Sequence, residues 1–307
     1  MLSNKKIIVL RHGGGRLANQ IWNYIGAYTY CLERGFRLEN YSFYKYTGLF
    51  DLPRPKSFLI KFLFYGFLIK QKWYAHRDPY EKFTRLVEYI FKNRVVKSDE
   101  TFYLPPSINL NPNQQKEIKR IEENSKTIFF EGWLFRNPIG LKKYQNQIRK
   151  YFQPTAEIRQ KVDEIVASAR KQHSYLVGVH IRQGDYKVWE RGEYYFTSEE
   201  AASILKDYLQ YSQNNSDQTV FLIASDGEID QNIFQGLNTI ICHGNQVEDL
   251  WTLSKTDLII GSDSTYGALA GYLGDTPVAV FKRPKVNWGI SNTTGFNYEN
   301  ECTLVHW

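Results

Sequence analysis

The chain has 307 residues, room for two ordinary domains and too many for a small binding module, because single cores stop growing near ~250 residues. Hydrophobic residues make up 42%, charged residues 23% and aromatics 16%, a composition that excludes intrinsic disorder, collagen and coiled coil. The net charge of +7 is concentrated: from Arg54 to Lys97 eleven Lys or Arg stand against Asp78, Glu81 and Glu88, and no basic module of a nucleic-acid binder is recognisable, so no nucleic-acid partner is expected.

In chain order, Lys5–Arg11 is a β-branched apolar run that predicts a strand. His12-Gly-Gly-Gly15 breaks it, and Leu17–Arg34 reads as a helix that ends before Gly35. Residues 40–110 are aromatic and punctuated by Pro53, Pro55, Pro79, Pro105 and Pro106, which predicts an insertion rather than regular βα units. Its rings from Tyr41 to Tyr103 offer rigid stacking faces. Within it, residues 58–70 form an apolar run with lysines at 61 and 70, too short to span a bilayer. Two readings stand: a buried helix whose lysines snorkel at its edge, or a peripheral membrane contact. Thr127–Glu131 reads as a strand, with helices near Gly140–Tyr151 and Thr155–Lys171.

From Ser174 the alternation is regular. Strands are predicted at Tyr175–Ile181, Thr219–Ala224, Thr239–Cys242, Asp257–Ile260 and Pro277–Phe281, with helices at Ser198–Tyr211, Gln246–Lys255 and Thr265–Leu273. Short apolar strands separated by helices predict a parallel sheet covered on both faces. The expected organisation is an N-terminal domain over 1–165 and a C-terminal domain over 166–307, two α/β lobes facing across a ligand-binding cleft. Cys31, Cys242 and Cys302 show no metal or disulfide spacing, and Met1–Lys6 leads into the first strand without a signal-peptide core. Both features favour a cytoplasmic location, with the 58–70 run as the candidate contact to the membrane face.

Four polar clusters fall at strand ends, the ligand edge of an open parallel sheet. Gly13-Gly-Gly-Arg-Leu-Ala18 fits G-x-G-x-x-A between a strand and a helix, with Glu39 about 20 residues on, the pattern of a dinucleotide turn. Arg16, Asn19 and Gln20 are polar groups that a nicotinamide site does not need there. His180-Ile-Arg-Gln-Gly-Asp185 places a fixed cation, Arg182, where its fork of donors can grip a diphosphate. Ser225-Asp226-Gly227 and Gly261-Ser-Asp-Ser-Thr-Tyr-Gly267 follow two further strands, and Ser264 and Thr265 at a helix start form an anion nest or simply a helix cap.

Taken together, Gly14-Gly-Arg-Leu-Ala-Asn-Gln20, His180-Ile-Arg-Gln-Gly-Asp-Tyr186, Ala224-Ser-Asp226 and Asp249-Leu-Trp-Thr-Leu-Ser254 leading into Gly261–Tyr266 resemble the ordered motifs of the α-1,2-fucosyltransferases. The wider superfamily of α-1,6- and protein O-fucosyltransferases is similar. The match runs from residue 7 to about 281 and is weakest between 40 and 125. The resemblance implies a GT-B enzyme that moves fucose from GDP-fucose to a glycan hydroxyl, α-1,2 to galactose, with inversion and with no metal or other cofactor. It assigns Arg182 to the donor β-phosphate, His180 to the same pocket, Asp226 to guanine or ribose, and Ser264 and Thr265 to the pyrophosphate. Gly14, Gly15 and Arg16 would line the donor, and Asn19 would face fucose and acceptor. Glu190, ten residues past His180, or Asp185 would serve as general base. Gln183, Ala18 and the run Asp263–Ala268 depart from the family pattern, which bears on acceptor, linkage and sugar rather than on the diphosphate site. Two other classes compete: an NAD(P)-dependent oxidoreductase using the Gly13–Ala18 turn and Glu39, and a non-catalytic carbohydrate-binding protein.

Overall fold

The computed structural model describes residues 5–11, 15–53, 78–98, 101–105, 111–132, 135–212, 216–286 and 288. The run at 58–70 and Cys302 lie outside them. The chain divides into two compact units after Gln153.

The first unit opens with β1 (Lys6–Arg11), α1 (Leu17–Arg34) and β2 (Arg37–Asn40). It continues through α2 (Asp78–Ile90), β3 (Val95–Ser98), β4 (Phe102–Tyr103), α3 (Pro112–Asn124), β5 (Thr127–Gly132), β6 (Phe135–Arg136), α4 (Pro138–Lys143) and α5 (Gln145–Tyr151). The main sheet is parallel in the order β2-β1-β5-β3. Alternation along β1 explains why it is buried twice over. Ile7 and Val9 join Ile128 and Phe130 under α1 and α3, whereas Ile8 and Leu10 join Phe129, Tyr41 and Val95 on the other face, beneath Val87 and Phe91. Helix α1 ends where the sequence says, at Gly35 in the left-handed region (φ 64°), a conformation that glycine adopts without Cβ strain.

Two expectations need correction here. Residues 78–98 are not an irregular insertion: α2 feeds β3, which pairs in parallel with β5, so this stretch is a βα-type unit of the sheet. Its strand is only four residues long, and two of them, Lys97 and Ser98, are polar, so the period-2 signal is too short to detect. The single helix expected over 140–151 is two helices that meet at Tyr144.

The second unit contains α6 (Ala156–Gln172), β7 (Tyr175–Ile181), α7 (Ser198–Ser212), β8 (Thr219–Ser225), β9 (Thr239–Ile241), α8 (Gln246–Leu253), β10 (Leu258–Gly261), α9 (Thr265–Gly274) and β11 (Val278–Val280). Helix α6 belongs wholly to this unit, whereas a boundary at 165 would cut it. The sheet is parallel in the order β11-β10-β7-β8-β9. From β7 the chain winds outward through β8 and β9, then returns to lay β10 and β11 on the other side of β7. The carboxyl ends of β7 and β10 are therefore the topological switch point, where departing connections leave a crevice. Val177, Val179 and Ile181 pack with Phe221 and Ile223 against α7, and Leu176 packs with Val220 and Leu222 against α6.

Gly26 lies where α1 crosses β6. A Cβ built there would stand 2.6 Å from the Phe135 carbonyl oxygen, a backbone atom that cannot swing aside. Gly26→Ala should lower stability by about 2 kcal/mol in urea unfolding, whereas Gly48→Ala, with open space around its added methyl, should stay within about 0.5 kcal/mol of wild type.

Candidate active site

The switch-point corner is assembled by backbone pairing. Gly261 sits opposite His180 in the β10–β7 register, so close that a Cβ on it would lie 2.5 Å from the His180 carbonyl oxygen. That approach lets the Ser262 N–H donate to the His180 carbonyl oxygen at 2.9 Å, while the Ser262 hydroxyl accepts from the Arg182 N–H at 2.9 Å. The strand ends are thus locked before any side chain acts.

Arg182 leaves this lock with its guanidinium between two carboxylates, Asp185 at 2.6 Å and Asp226 at 2.9 Å, and 5.4 Å from the centre of the Tyr186 ring. Only 16% of its side chain is exposed. Asp226 also accepts the N–H groups of Gln183 (2.7 Å) and Gly184 (3.1 Å). Burial pushes the Asp226 carboxyl up, but the Gln183 N–H, the Arg182 charge and the Gly184 N–H outweigh it and hold the carboxyl below its ordinary range. The two carboxylates differ in what fixes them. Asp226 is anchored by backbone, whereas Asp185 has a half-exposed side chain and is the partner an incoming anion can displace.

His180 is buried on the β7 strand, and its Nδ1 has no hydrogen-bond partner among the described residues. Its ring lies 4.8 Å from that of Tyr266, tilted by 34°. Burial and the Arg182 charge lower its pKa to about 4 against the pull of Asp226, so it is a neutral imidazole at pH 7. Tyr266 in turn donates to the Gln246 carbonyl oxygen at 2.6 Å, joining α9 to α8. Ser264 caps α9 by accepting the Tyr266 N–H at 3.1 Å, and Thr265 is the first helical residue, so this helix start stands beside the Arg182 corner. Tyr186 completes the link by donating to the Asp263 carbonyl oxygen at 2.9 Å.

His180, Arg182, Asp185, Asp226 and the Ser264–Thr265 turn are therefore brought together in one unit. Gln183 turns away and donates to the Ser198 hydroxyl in the interior. Glu190 stands in solvent on the loop after Tyr186, in a run where Glu190 (φ 44°), Arg191 (φ 57°) and Gly192 (φ 79°) are all left-handed. Two successive non-glycine residues in that region cost about 1 kcal/mol or more each, and such strain clusters at functional loops.

The remaining residues lie in the first unit. Gly15 has φ 76°, and a Cβ there would strike the Asn19 side chain at 2.4 Å, so the turn requires glycine twice over. Arg16 occupies the exposed N-cap position of α1, and Gln20 donates to the Gly15 carbonyl oxygen at 3.3 Å. Asn23, one turn on, donates to the Gly132 carbonyl oxygen (3.0 Å) and accepts from the Phe135 N–H (3.2 Å). The polar run of α1 thus ties the turn to β5 and β6. Gly14 lies outside the described residues. Glu39, the acid that a dinucleotide turn would use, is engaged by the Tyr41 hydroxyl and stands 3.9 Å from Lys6. A cavity of about 260 Å³ in this unit is lined by Tyr24, Tyr28, Tyr151, Leu52 and Asn40 among others.

Asp249, the first residue of the Asp249–Ser254 motif, is an acid to which the resemblance assigns no role. Burial lifts its pKa to about 6 against the Gly244 N–H, Glu248 adds to the rise, and His243 opposes it. The signal was present: within Gln246–Leu253, Val247, Leu250 and Trp251 are core, and Asp249 interrupts them with a half-buried charge near Tyr266.

No protein-family model matches the chain, and no curated protein matches it by sequence. Solved structures do match its fold. A mutant of Arabidopsis thaliana FUT1 in complex with GDP is similar over 92% of this chain and 72% of its own, with 15% identity and a TM-score of 0.56. POFUT1 in complex with GDP-fucose is similar over 92% and 98%, with 13% identity and a TM-score of 0.54. NodZ α-1,6-fucosyltransferase soaked with GDP-fucose is similar over 92% and 97%, with 15% identity and a TM-score of 0.51. The pair of parallel α/β units is the GT-B architecture that the motifs imply.

Two buried groups set opposed acid responses. Folded His180 stays neutral down to about pH 4, while the unfolded chain takes up that proton near 6.5, so its share of stability rises with pH across that window. Folded Asp249 keeps its proton up to about pH 6, while the unfolded chain releases it near 3.8, so its share falls as pH rises. Each displacement corresponds to ~3 kcal/mol, and between pH ~4 and ~6 the two nearly cancel. Asp249→Asn should make stability climb with pH over this range and His180→Asn should make it fall, as read from urea midpoints; identical profiles for both variants and wild type would refute the assignment.

Proposed function

We propose that the chain is an inverting glycosyltransferase that moves fucose from GDP-fucose to a hydroxyl of a glycan acceptor, through an α-1,2 linkage to galactose. The observation that carries this reading is Arg182: a nearly buried guanidinium at the switch point of a parallel sheet, oriented by Asp226 and standing beside the start of α9. A diphosphate is the ligand that satisfies both, because its oxygens accept paired donors from a guanidinium and single ones from helix-start N–H groups. The GDP and GDP-fucose named for the structures of similar fold support that chemistry.

In this reading the acceptor oxygen attacks the anomeric carbon of fucose from the face opposite the diphosphate. A new C–O bond forms as the bond from C1 to the β-phosphate oxygen breaks, and the sugar centre inverts. Negative charge grows on the departing GDP, where Arg182 and the α9 amides at Ser264–Thr265 meet it without a metal ion. Arg182 exchanges Asp185 for the phosphate, and Asp226 keeps the guanidinium aimed. The proton of the acceptor hydroxyl passes to a carboxylate, assigned to Glu190 with Asp185 as the alternative. Neutral His180 supplies a ring nitrogen to the donor without adding charge. Asp249 suits the base: guanine presents adjacent N1–H and N2–H donors, and a carboxylate accepts both at once. In the first unit, Asn19, Arg16 and the Gly14–Gly15 turn are assigned to fucose and acceptor, and the tyrosine-lined cavity offers faces on which sugar rings stack.

Arg182→Ala should lower kcat by about a hundredfold to a thousandfold, because removing one donor aimed at developing charge costs ~3 kcal/mol. Glu190→Gln should lower kcat while leaving GDP affinity unchanged. GDP at a hundred times its Kd should stabilise the fold by about 2.7 kcal/mol in a thermal-shift assay while NAD does nothing, and Asp249→Asn should erode the preference for GDP over ADP. Equal shifts by NAD and GDP, or undiminished fucosyl transfer by Arg182→Ala, would overturn the reading.

A further inference from the structure

From residue 84 onward, helix α2 carries apolar side chains on both sides. Its inner side is accounted for: Thr84 is buried, Val87 and Phe91 at its end pack on the sheet, and Glu88 pairs with Arg11 (2.5 Å) and Lys97. Its outer side is not what a solvated helix presents. Leu86 is 56% exposed, Tyr89 80% and Ile90 59%, and their spacing puts them on one continuous strip of helix surface. Scattered exposed apolar residues are ordinary, but three large ones side by side form a patch that signals an interaction surface.

The charges around the strip choose the partner. Arg85 lies beside it on the helix, and Lys92 and Arg94 follow in the 3-10 turn at its end, all three exposed. The one acid among residues 84–94, Glu88, is held on the inner side by Arg11 and Lys97. The strip is therefore apolar at its centre, cationic along its edge and crowned by a tyrosine. Tyr prefers the headgroup level of a bilayer, and Lys and Arg reach to anionic headgroups from an apolar base. A soluble protein partner would need a matching acidic rim around a defined apolar pocket, whereas a bilayer with anionic lipid supplies both features without a fitted shape.

We propose that the outer strip of α2, Leu86, Tyr89 and Ile90 with Arg85, Lys92 and Arg94, docks this protein on an anionic membrane surface. The contact lies wholly within the first unit and uses none of the residues assigned to the donor, so it stands apart from the reading of the site. An enzyme held this way works on acceptors carried at the bilayer.

The full chain is mixed with vesicles of phosphatidylcholine, or of phosphatidylcholine with phosphatidylglycerol, and floated on a density gradient. Wild type should float with the anionic vesicles only and be released as salt rises. Each cation at such a surface is worth roughly a fivefold gain in partitioning, so the triple variant Arg85→Gln, Lys92→Gln, Arg94→Gln should bind on the order of a hundredfold more weakly. The triple variant Leu86→Ser, Tyr89→Ser, Ile90→Ser should also lose binding and, because these side chains are exposed, keep the wild-type urea midpoint. Gel filtration of the same proteins should show one oligomeric state. Absence of flotation by wild type, equal binding to neutral vesicles, or undiminished binding by both triple variants overturns the proposal. So does a wild-type dimer that the serine variant splits, which would make the strip a protein contact.

Discussion

One guanidinium with two unequal carboxylates organises the second unit. Arg182 can be a phosphate ligand only if something holds it in place when no phosphate is there, and Asp226 does so with both oxygens, one on Arg182 and the other on two backbone N–H groups. Removing that carboxylate would leave the half-exposed Asp185 to balance a nearly buried cation, and with it the backbone anchor that aims the guanidinium would be lost. Asp185 serves the opposite need, neutralising Arg182 in the resting state from a position exposed enough to be given up. The corner exists because the order of strands reverses between β7 and β10 while the sheet stays parallel, and it stays narrow because Gly261 has no side chain.

The second unit was legible in the sequence because its strands are unbroken apolar runs that alternate with helices. Tyr175–Ile181 is found at both predicted ends, and Thr219–Ser225 extends the prediction by one residue. The strand predicted from 257 starts at Leu258; Asp257 donates its N–H to the Leu176 carbonyl oxygen at 2.8 Å, while its carboxylate takes the Leu176 N–H and Arg170. In the first unit, α1 matched because its apolar spacing and terminal Gly35 agree. β3 was missed because four residues, Val-Val-Lys-Ser, carry too little period, and α3 because it buries only Gln114, Ile118 and Ile121.

The site shows the same division. His180, Arg182, Asp226 and Ser264 were visible as polar residues where apolar strands stop. Their division of labour was not, because it depends on which oxygen meets which N–H across the sheet. Nothing in the spacing says that Gln183 turns inward to Ser198, or that the carboxyl pKa is raised at Asp249 and lowered at Asp226. Sequence marks the edge of a sheet as chemical; only packing tells which groups are spent holding the edge and which are left for a ligand.

The left-handed run at Glu190, Arg191 and Gly192 has a consequence for how this loop can vary. Glycine or asparagine at 190 or 191 would relieve the backbone and raise the melting temperature, so random drift toward robustness should favour those letters. A chain that keeps a long acid and a long base there gives up thermal headroom. Variants selected for stability alone should therefore accumulate changes at this bend first.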